Sequence, residues 1–391
     1  MYTSERFIQR FLLEKFRVQF RKVDARRSEN IVLDINKDCT AEQKRILVCY
    51  LDYGRSSYSL RHNVEHTNSQ EMCQIIKVLI DMNFRIDVCD CANKEAIYEM
   101  PENYYDYIFG LGDLFWYAVE HNPEAFSILY MTENPYYISY QYEMERIQYF
   151  YKRTGKRIAF CRTGKFYHKD DEKHADAIIC VGEKKYYDDI KNPVVRVFPS
   201  AFKNPYFENL FENRKKTNFL VLGVHGFVHK GNDLLMEVFQ KHKEWNLYMC
   251  GTNIDKECRE LGYKRTENII DCGFVNTGSE KFCELLEKCT FVLLPSCSEG
   301  MSTGLMTCMR HGLIPVTMHG TGMDELEEYC LFFDDYFVEN VERKLAEVVE
   351  MEDTVCNRLS KNIYEYANRE FTLENYTKNI RMAFKELLAE S

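Results

Sequence analysis

Short apolar runs that alternate with segments of helical periodicity constrain the fold of this chain more than any other feature. The runs 45–53 and 85–91 have the length and composition of buried strands, and the segment 66–84 between them repeats apolar residues at helical spacing. Further strands are predicted at 105–112, 127–133, 176–182 and 194–200, with a helix at 141–155. Strands that alternate with helices predict a parallel sheet covered on both faces.

The alternation pauses at residues 201–218, which carry a proline, several asparagines and a charge run, and this segment is interpreted as an interdomain connector. It then restarts, with strands predicted at 219–224, 245–251, 268–275 and 290–296, and the last 40 residues are helical in pattern. We therefore predict an α/β chain with two Rossmann-like, doubly wound domains that face a cleft. The predicted boundaries are 1–44 for a basic N-terminal segment, 45–203 and 204–370 for the two domains, and 371–391 for a C-terminal helix that packs back on the first domain.

The segment 7–23 places phenylalanine, leucine and isoleucine among basic residues at roughly helical spacing. One interpretation is a basic amphipathic helix that lies on an anionic membrane surface. The other is a helix packed on its own domain with a solvated charged face. The net charge of the whole chain is −10, which argues against a general nucleic-acid binder. No apolar run is long enough to span a membrane.

The sixteen cysteines include no CxxC pair, and the closest two are Cys89 and Cys91. Zinc sites use paired ligands at fixed spacing, and disulfide scaffolds are typical of short secreted chains. The cysteines are therefore predicted to be free thiols in a reducing cytosol, with no bound metal.

Two predicted strand-to-helix loops carry the chemistry of the second domain. The first, "GVHGFVHKG" at 223–231, is rich in glycine and leads into a helix, so that Lys230 could meet a phosphate. His225 and His229 lie on the same loop. An ordinary turn with a solvated lysine is the alternative.

The second loop follows the strand that ends at Ser296 and contains Glu299 in a Ser/Gly-rich turn. Ser302 or Thr303 can cap the next helix, whose free N–H groups favour an anion. A carboxylate suits a sugar hydroxyl better than a phosphate. Together the loops suggest a nucleoside diphosphate, with phosphates on Lys230 and the helix end and the ribose on Glu299.

Three stretches of this region, "KGNDLLMEVF" (230–239), "CGFV" (272–275) and "LLPSCSEGMSTGLMTCMRHGLIPV" (293–316), resemble one known family in order and distance. They are similar to the donor half of retaining glycosyltransferases with the GT-B fold, the glycosyl transferases group 1 family. In the first half, "MTENPYYISYQYEMERIQYFYKRTGKR" and "RVFPSAFKNPYF" are similar to bacterial members of polysaccharide-assembly type. The resemblance covers about 219–335. It implies that the second domain binds a nucleotide-sugar donor and that the first presents the acceptor.

The resemblance also implies site residues. Lys230 would neutralise the donor diphosphate and Glu299 would bind the ribose, and these two are the predicted catalytic residues. The other implied donor-binding residues act through backbone amides or line the nucleobase slot: Gly300, Ser302, Thr303, Gly273, Phe274 and Val275.

This sequence departs from the family pattern at two donor positions. A second acid of the family falls on Thr307, which leaves recognition of the donor sugar open. An arginine that often stands five residues before the lysine is His225 here, and a histidine carries less reliable positive charge near neutral pH. His225 and His229 are the candidates to replace that charge.

On the acceptor side, His66, Asn68 and Glu133 are predicted to face the cleft from the first domain. The alternatives are simple helix capping by Thr67 or Asn68, and a solvated loop acid at Glu133.

The function implied is that of a retaining, metal-independent glycosyltransferase of hexosyltransferase type. It would move a sugar from a nucleotide-sugar to a hydroxyl of a glycan or glycolipid, in surface polysaccharide or glycolipid synthesis at the cytoplasmic face of a membrane. No D-x-D motif, which metal-dependent glycosyltransferases of the other fold use, occurs in the chain. The alternatives are a sugar-nucleotide epimerase of the same fold and a non-catalytic binder of nucleotide-sugars.

Overall fold

A computed structural model describes residues 30–38, 42–54, 56, 67–208 and 214–389. The predicted amphipathic helix at 7–23 and the candidate cleft residue His66 lie outside these residues. The described chain forms two sheets, one of seven strands and one of six, each with its own hydrophobic core.

The first sheet is parallel except at one edge. Its strands are β1 (Ile31–Ile35), β2 (Arg45–Tyr50), β3 (Arg85–Asp90), β4 (Tyr107–Gly110), β5 (Phe126–Met131), β6 (Ala177–Cys180) and β7 (Val194–Arg196). They are arranged in the order β1-β3-β2-β4-β5-β6-β7, and only β1 runs antiparallel to its neighbour. The central strands are buried along nearly their whole length because helices cover both faces.

Four helices accompany this sheet among the described residues: α1 (Thr67–Asp81), α2 (Gly112–His121), α3 (Tyr136–Thr154) and α4 (Asp171–His174). Single 3-10 turns lie at Lys94–Tyr98 and Lys184–Tyr187. Helix α1 buries Met72, Ile75, Ile76 and Leu79, a spacing that places all four on one face.

The second sheet is entirely parallel. Its strands are β8 (Lys215–Leu222), β9 (Asn246–Cys250), β10 (Ile269–Gly273), β11 (Cys289–Leu294), β12 (Ile314–Thr317) and β13 (Leu331–Phe332), in the order β10-β9-β8-β11-β12-β13. The chain winds outward in one direction from β8 and in the other from β11. In such sheets a crevice opens at the carboxyl ends of the two central strands, where ligands bind. Here those strands are β8 and β11, paired with Phe291 opposite Phe219.

The second domain carries the remaining helices, α5 (Asn232–Lys241), α6 (Ile254–Leu261), α7 (Glu280–Lys288), α8 (Thr303–Met309), α9 (Val338–Glu350) and α10 (Asp353–Glu370), and a 3-10 turn at Asp324–Leu326. Helix α11 (Leu373–Ala389) follows but returns to the first domain. It packs on α1 and places Tyr376, Ile380, Phe384 and Leu387 in the first core.

The prediction of two doubly wound α/β domains with a helical C-terminal segment is confirmed. Several local predictions need correction. Strand β1 belongs to the first domain, although it lies within the predicted N-terminal segment 1–44. The sequence does not predict it because the pattern of a five-residue edge strand is too short to detect. Strand β8 begins at Lys215, inside the predicted connector, because its first residues are polar and still pair with β11. The cysteines of the described part are free thiols, most of them buried.

Candidate active site

The two central loops of the second domain meet at the crevice between β8 and β11. Gly231 adopts a positive φ of +72°, and a Cβ built there would lie 2.1 Å from the carbonyl oxygen of Pro295. The backbone N–H of Cys297 donates to the carbonyl oxygen of His229 at 2.9 Å. A side chain at Gly231 would separate the loops, so glycine allows Lys230 and Glu299 to come together.

Glu299 and Lys230 form an ion pair at the centre of this crevice. The Glu299 carboxylate is buried, and its Oε1 also accepts a hydrogen bond of 2.8 Å from the Ser296 hydroxyl. The backbone N–H of Glu299 donates to the carbonyl oxygen of Gly320 at 3.1 Å. The structure thus brings together the two residues that sequence reasoning placed at the centre of the site.

The first domain adds a second cation to this pair. Nη2 of Arg162 lies 3.7 Å from Oε2 of Glu299, and its Nη1 lies 2.5 Å from Oε1 of Glu133. Glu133, predicted to face the cleft, follows β5 at the carboxyl edge of the first sheet. A row of alternating charges, Glu133–Arg162–Glu299–Lys230, therefore crosses from one domain to the other, and is called the charge row below.

The charges of the row stabilise the ionised forms of Glu299 and Arg162. Burial by itself would raise the pKa of Glu299, but the nearby charges of Lys230 and Arg162 outweigh it and lower that pKa to about 2. The carboxylate of Glu299, followed by that of Glu133, raises the pKa of the Arg162 guanidinium. Glu299 is therefore a carboxylate, an acceptor of hydrogen bonds, throughout the physiological pH range.

Glu143 on α3 fixes the loop that carries Arg162. Its carboxylate accepts hydrogen bonds from the backbone N–H groups of Cys161 (2.5 Å), Arg162 (3.3 Å) and Thr163 (2.9 Å), and from the Thr163 hydroxyl (2.7 Å). Burial opposes ionisation of Glu143, yet hydrogen bonds from His229 and Thr163 lower its pKa to about 2.

His229 connects this loop to the crevice. Its Nε2 lies 2.8 Å from the Ser298 carbonyl oxygen, and its Nδ1 lies 3.3 Å from Oε1 of Glu143. Burial lowers the pKa of His229, but Cys297, Glu143 and Glu299 around it raise the value well above normal. A protonated imidazole donates at both nitrogens, which matches these two acceptors. The side chain is buried, with both nitrogens engaged inside the protein.

His225, the other candidate to replace the missing arginine, has a different environment. It is exposed and lines a cavity of about 250 Å³ between the domains, together with Phe160, Phe227 and Glu257. Glu257 is its electrostatic neighbour. Among the described residues, the cation nearest to Glu299 after Lys230 is Arg162, which comes from the other domain.

The two domains touch closely around Glu299. Nδ2 of Asn134 donates to the Ser298 hydroxyl at 3.0 Å and to the Gly320 carbonyl oxygen at 2.8 Å. A Cβ at Gly300 would lie only 2.1 Å from the carbonyl oxygen of Thr132. Glycine at position 300 thus permits the backbone of the second domain to approach that of the first.

The other predicted donor residues lie around the same crevice or in its supports. Gly273 ends β10 at a φ of +67°, Phe274 is 76% exposed, and Val275 is buried. The hydroxyl of Ser302 caps α8 by accepting from the Leu305 N–H at 3.4 Å, and Thr303 is the first residue of that helix.

Thr307 and Asn68 have local partners. The hydroxyl of Thr307 is buried and accepts a hydrogen bond of 3.2 Å from the backbone N–H of Phe202 in the connector. Asn68 lies in the first turn of α1, where its Oδ1 accepts from the Thr67 hydroxyl at 3.3 Å.

Sequence reasoning missed Arg162, Glu143 and Asn134. Arg162 lies in "CRTGK", a short turn-like stretch whose residues have no periodic pattern. Its only signal was a cation beside a Thr-Gly turn between predicted elements, and such cations are common on protein surfaces. Each of the three acts through a contact with a residue far away in the sequence.

Comparisons with known proteins agree with this architecture. Residues 216–350 match the family model described as "Glycosyl transferases group 1". A search of the curated proteins finds no match. Among solved structures, a sucrose-phosphate synthase from Thermosynechococcus elongatus has a TM-score of 0.61 at 12% identity, over 90% of this chain and 100% of that one.

Two further structures have the same fold. Anabaena Alr3699/HepE, in complex with UDP and glucose, has a TM-score of 0.53 at 10% identity, over 88% of this chain and 100% of that one. WaaG, a glycosyltransferase involved in lipopolysaccharide biosynthesis, has a TM-score of 0.54 at 13% identity, over 85% of this chain and 98% of that one.

Residues 216–350 thus match the glycosyl transferases group 1 family, and the two domains together have the GT-B fold. The resemblance to this family and the prediction of a glycosyltransferase are thereby confirmed. No helix among the described residues has both the length and the apolar character that a membrane crossing requires.

Proposed function

We propose that this protein transfers a sugar from a nucleotide-sugar to a hydroxyl acceptor with retention of configuration and without a metal ion. The observation that carries the proposal is the pairing of Lys230 with Glu299 at the crevice between β8 and β11. A cation and a carboxylate at this position match the two chemistries of a nucleotide-sugar, a diphosphate and a set of hydroxyl groups.

Lys230 acts on the leaving group. Sugar transfer passes through a transition state that resembles an oxocarbenium ion, while negative charge grows on the departing diphosphate. A cation already held in place stabilises that charge without reorganisation. The Lys230 side chain is only 12% exposed, so water weakens its interaction with a phosphate less than it would at the open surface.

Glu299 acts on hydroxyl groups. Because its pKa is about 2, it remains an acceptor at the pH of a cell. A diphosphate that approaches Lys230 competes with Glu299 for the ammonium group. The carboxylate oxygen released in this way can then accept from a ribose or sugar hydroxyl, which couples binding of the phosphates to binding of the sugar.

Phe274 supplies a surface for the nucleobase. The ring follows β10 at the carboxyl edge of the sheet and is largely exposed, although most of the phenylalanines that the structure describes are buried. An exposed aromatic ring at such a place suits stacking with a planar base. The UDP complex of Anabaena Alr3699/HepE makes uridine diphosphate sugars the first donors to test.

The acceptor in this proposal is a glycan or glycolipid of a surface polysaccharide pathway. WaaG, a structural neighbour, is described as a glycosyltransferase of lipopolysaccharide biosynthesis. The basic, aromatic-rich segment 7–23 would hold the protein at the inner face of an anionic membrane. Removal of residues 1–27 is then expected to reduce cosedimentation with anionic liposomes, and unchanged cosedimentation would contradict the membrane contact.

A second candidate is a nucleotide-sugar binder without turnover. The buried hydroxyl of Thr307, at the position where the family carries its second acid, is occupied by the connector backbone, and this observation favours a site with fewer sugar contacts. Binding and turnover must therefore be measured separately.

The test uses the full chain with UDP-, ADP- and GDP-sugars, with binding followed by calorimetry and nucleotide release by a coupled assay. Lys230→Ala is expected to weaken binding of the nucleoside diphosphate about 10- to 100-fold, the loss of one charge-assisted hydrogen bond. Glu299→Gln is expected to lower the rate of sugar transfer. Lys256→Ala, at an exposed lysine of α6, is the matched control and leaves both unchanged.

Circular dichroism and thermal unfolding establish that each variant is folded. Unaltered binding and turnover in both Lys230→Ala and Glu299→Gln would refute the site. Binding without nucleotide release in the unaltered protein would favour the second candidate.

A further inference from the structure

Arg162 is a cation that the first domain contributes to a site built otherwise from the second. Arg162 contacts Glu133 and Glu299 within the charge row. Its side chain is still 29% exposed, so a ligand in the cleft can reach it. The contact with Glu299 is long for a hydrogen bond at 3.7 Å, whereas the contact with Glu133 is short at 2.5 Å. One arm of the guanidinium is therefore held firmly and the other loosely.

The backbone beneath Arg162 is held by Glu143. Three consecutive N–H groups, those of Cys161, Arg162 and Thr163, donate to this one buried carboxylate. A loop anchored in this way presents its side chain at a defined place, which lowers the entropic cost of engaging a ligand.

The charges of the row balance as they stand, with two carboxylates and two cations. A nucleoside diphosphate adds at least two negative charges, which Lys230 alone cannot match. His225, on the same loop as Lys230, borders a separate cavity beside Glu257, and His229 is buried with both ring nitrogens engaged by Ser298 and Glu143. The second cation must then come from elsewhere, and Arg162 lies beside Glu299 on the opposite lobe.

We propose that Arg162 binds the donor diphosphate across the cleft as the second cation of the site. The inference rests on the proposed function and adds one residue and one domain to it. The guanidinium keeps Glu133 on one arm and exchanges Glu299 for a phosphate oxygen on the other, since its planar fork can serve two anions. Lys230 and Arg162 then hold the diphosphate from both lobes.

A consequence follows for the catalytic cycle. A donor that both domains contact stabilises the closed arrangement of the lobes, and release of the nucleoside diphosphate removes that bridge. Substrate binding and domain closure become one event, which excludes water from the reacting sugar.

The test compares Arg162→Ala, Arg162→Lys and Arg157→Ala, the last at an exposed arginine on the same segment as a matched control. UDP, ADP and GDP, each with its monophosphate, are titrated into the full chain by calorimetry. Arg162→Ala is expected to weaken diphosphate binding about 10- to 100-fold and monophosphate binding less, because the second phosphate is the group that needs the second cation. Arg162→Lys is expected to restore part of the loss, and Arg157→Ala to cause none.

The outcomes separate the inference from the function on which it rests. Loss of binding in Lys230→Ala with unchanged binding in Arg162→Ala would overturn the inference alone. Equal losses for the diphosphate and the monophosphate in Arg162→Ala would show a structural role and would also overturn it. An unaltered protein that binds none of the three diphosphates would contradict the proposed function itself.

Discussion

Replacement of Asp233 by alanine should destabilise the contact between the two domains. Asp233, three residues after Lys230, is fully buried on α5 and forms ion pairs with Arg146 and Arg153 of α3. Arg153 has a second partner, Glu237, but Arg146 is itself fully buried. Among the described residues, Nε and Nη1 of Arg146 have no hydrogen-bond partner. The carboxylate of Asp233 is therefore the main group that balances the buried charge of Arg146.

The expected loss follows from what remains after the substitution. In Asp233→Ala, Arg146 becomes a buried cation without a counterion, and such a loss typically costs about 3–5 kcal/mol. This is a large part of the roughly 5–15 kcal/mol that stabilises a domain. The double variant Arg146→Met with Asp233→Leu removes both charges and fills the space with apolar groups. The double variant should therefore lose less free energy of unfolding than the single variant.

Urea unfolding, followed by fluorescence and by circular dichroism, measures these differences in the free energy of unfolding. Both probes are needed because a chain of two domains can unfold in two steps. Lys241→Ala is the control, since the Lys241–Glu342 pair is exposed and should contribute less than about 1 kcal/mol. A loss below about 1 kcal/mol in Asp233→Ala, or a double variant that is less stable than the single one, would refute the reasoning.

Two further variants address a buried acid and a close backbone contact. Burial raises the pKa of Glu71 to about 7 from its ordinary 4.5, although hydrogen bonds from the N–H and hydroxyl of Ser200 oppose the shift. Between these two pH values the folded chain therefore keeps the Glu71 proton, whereas the unfolded chain has released it. The free energy of unfolding therefore falls by roughly 3 kcal/mol as the pH rises from 4.5 through 7. Glu71→Gln should lose less unfolding free energy between pH 5 and pH 8 than the unaltered chain, and an identical pH dependence would contradict this. Gly300→Ala places a Cβ 2.1 Å from the Thr132 carbonyl oxygen, so the lobes should separate and the radius of gyration in X-ray scattering should increase, whereas an unchanged radius with unchanged nucleotide binding would disprove the steric argument.

The sequence alone determined the elements and the centre of the site. Strand and helix patterns are local, since burial on one face repeats every two or 3.6 residues, and these patterns predicted most of the described strands and helices. The position of Lys230 and Glu299 also followed from local information. Each lies in the loop after a predicted strand, and in a doubly wound sheet such loops share one edge.

Only the tertiary structure decided which partners these residues have. Arg162 reaches Glu299 because the first domain packs against the second, and no pattern within "CRTGK" encodes that approach. The buried pair of Arg146 and Asp233 joins residues that are 87 positions apart. Likewise, the structure buries His229 and leaves His225 exposed, although both lie on one loop. Charge and periodicity are properties of a single sequence segment, whereas ion pairs between domains depend on how the two folded domains pack against each other.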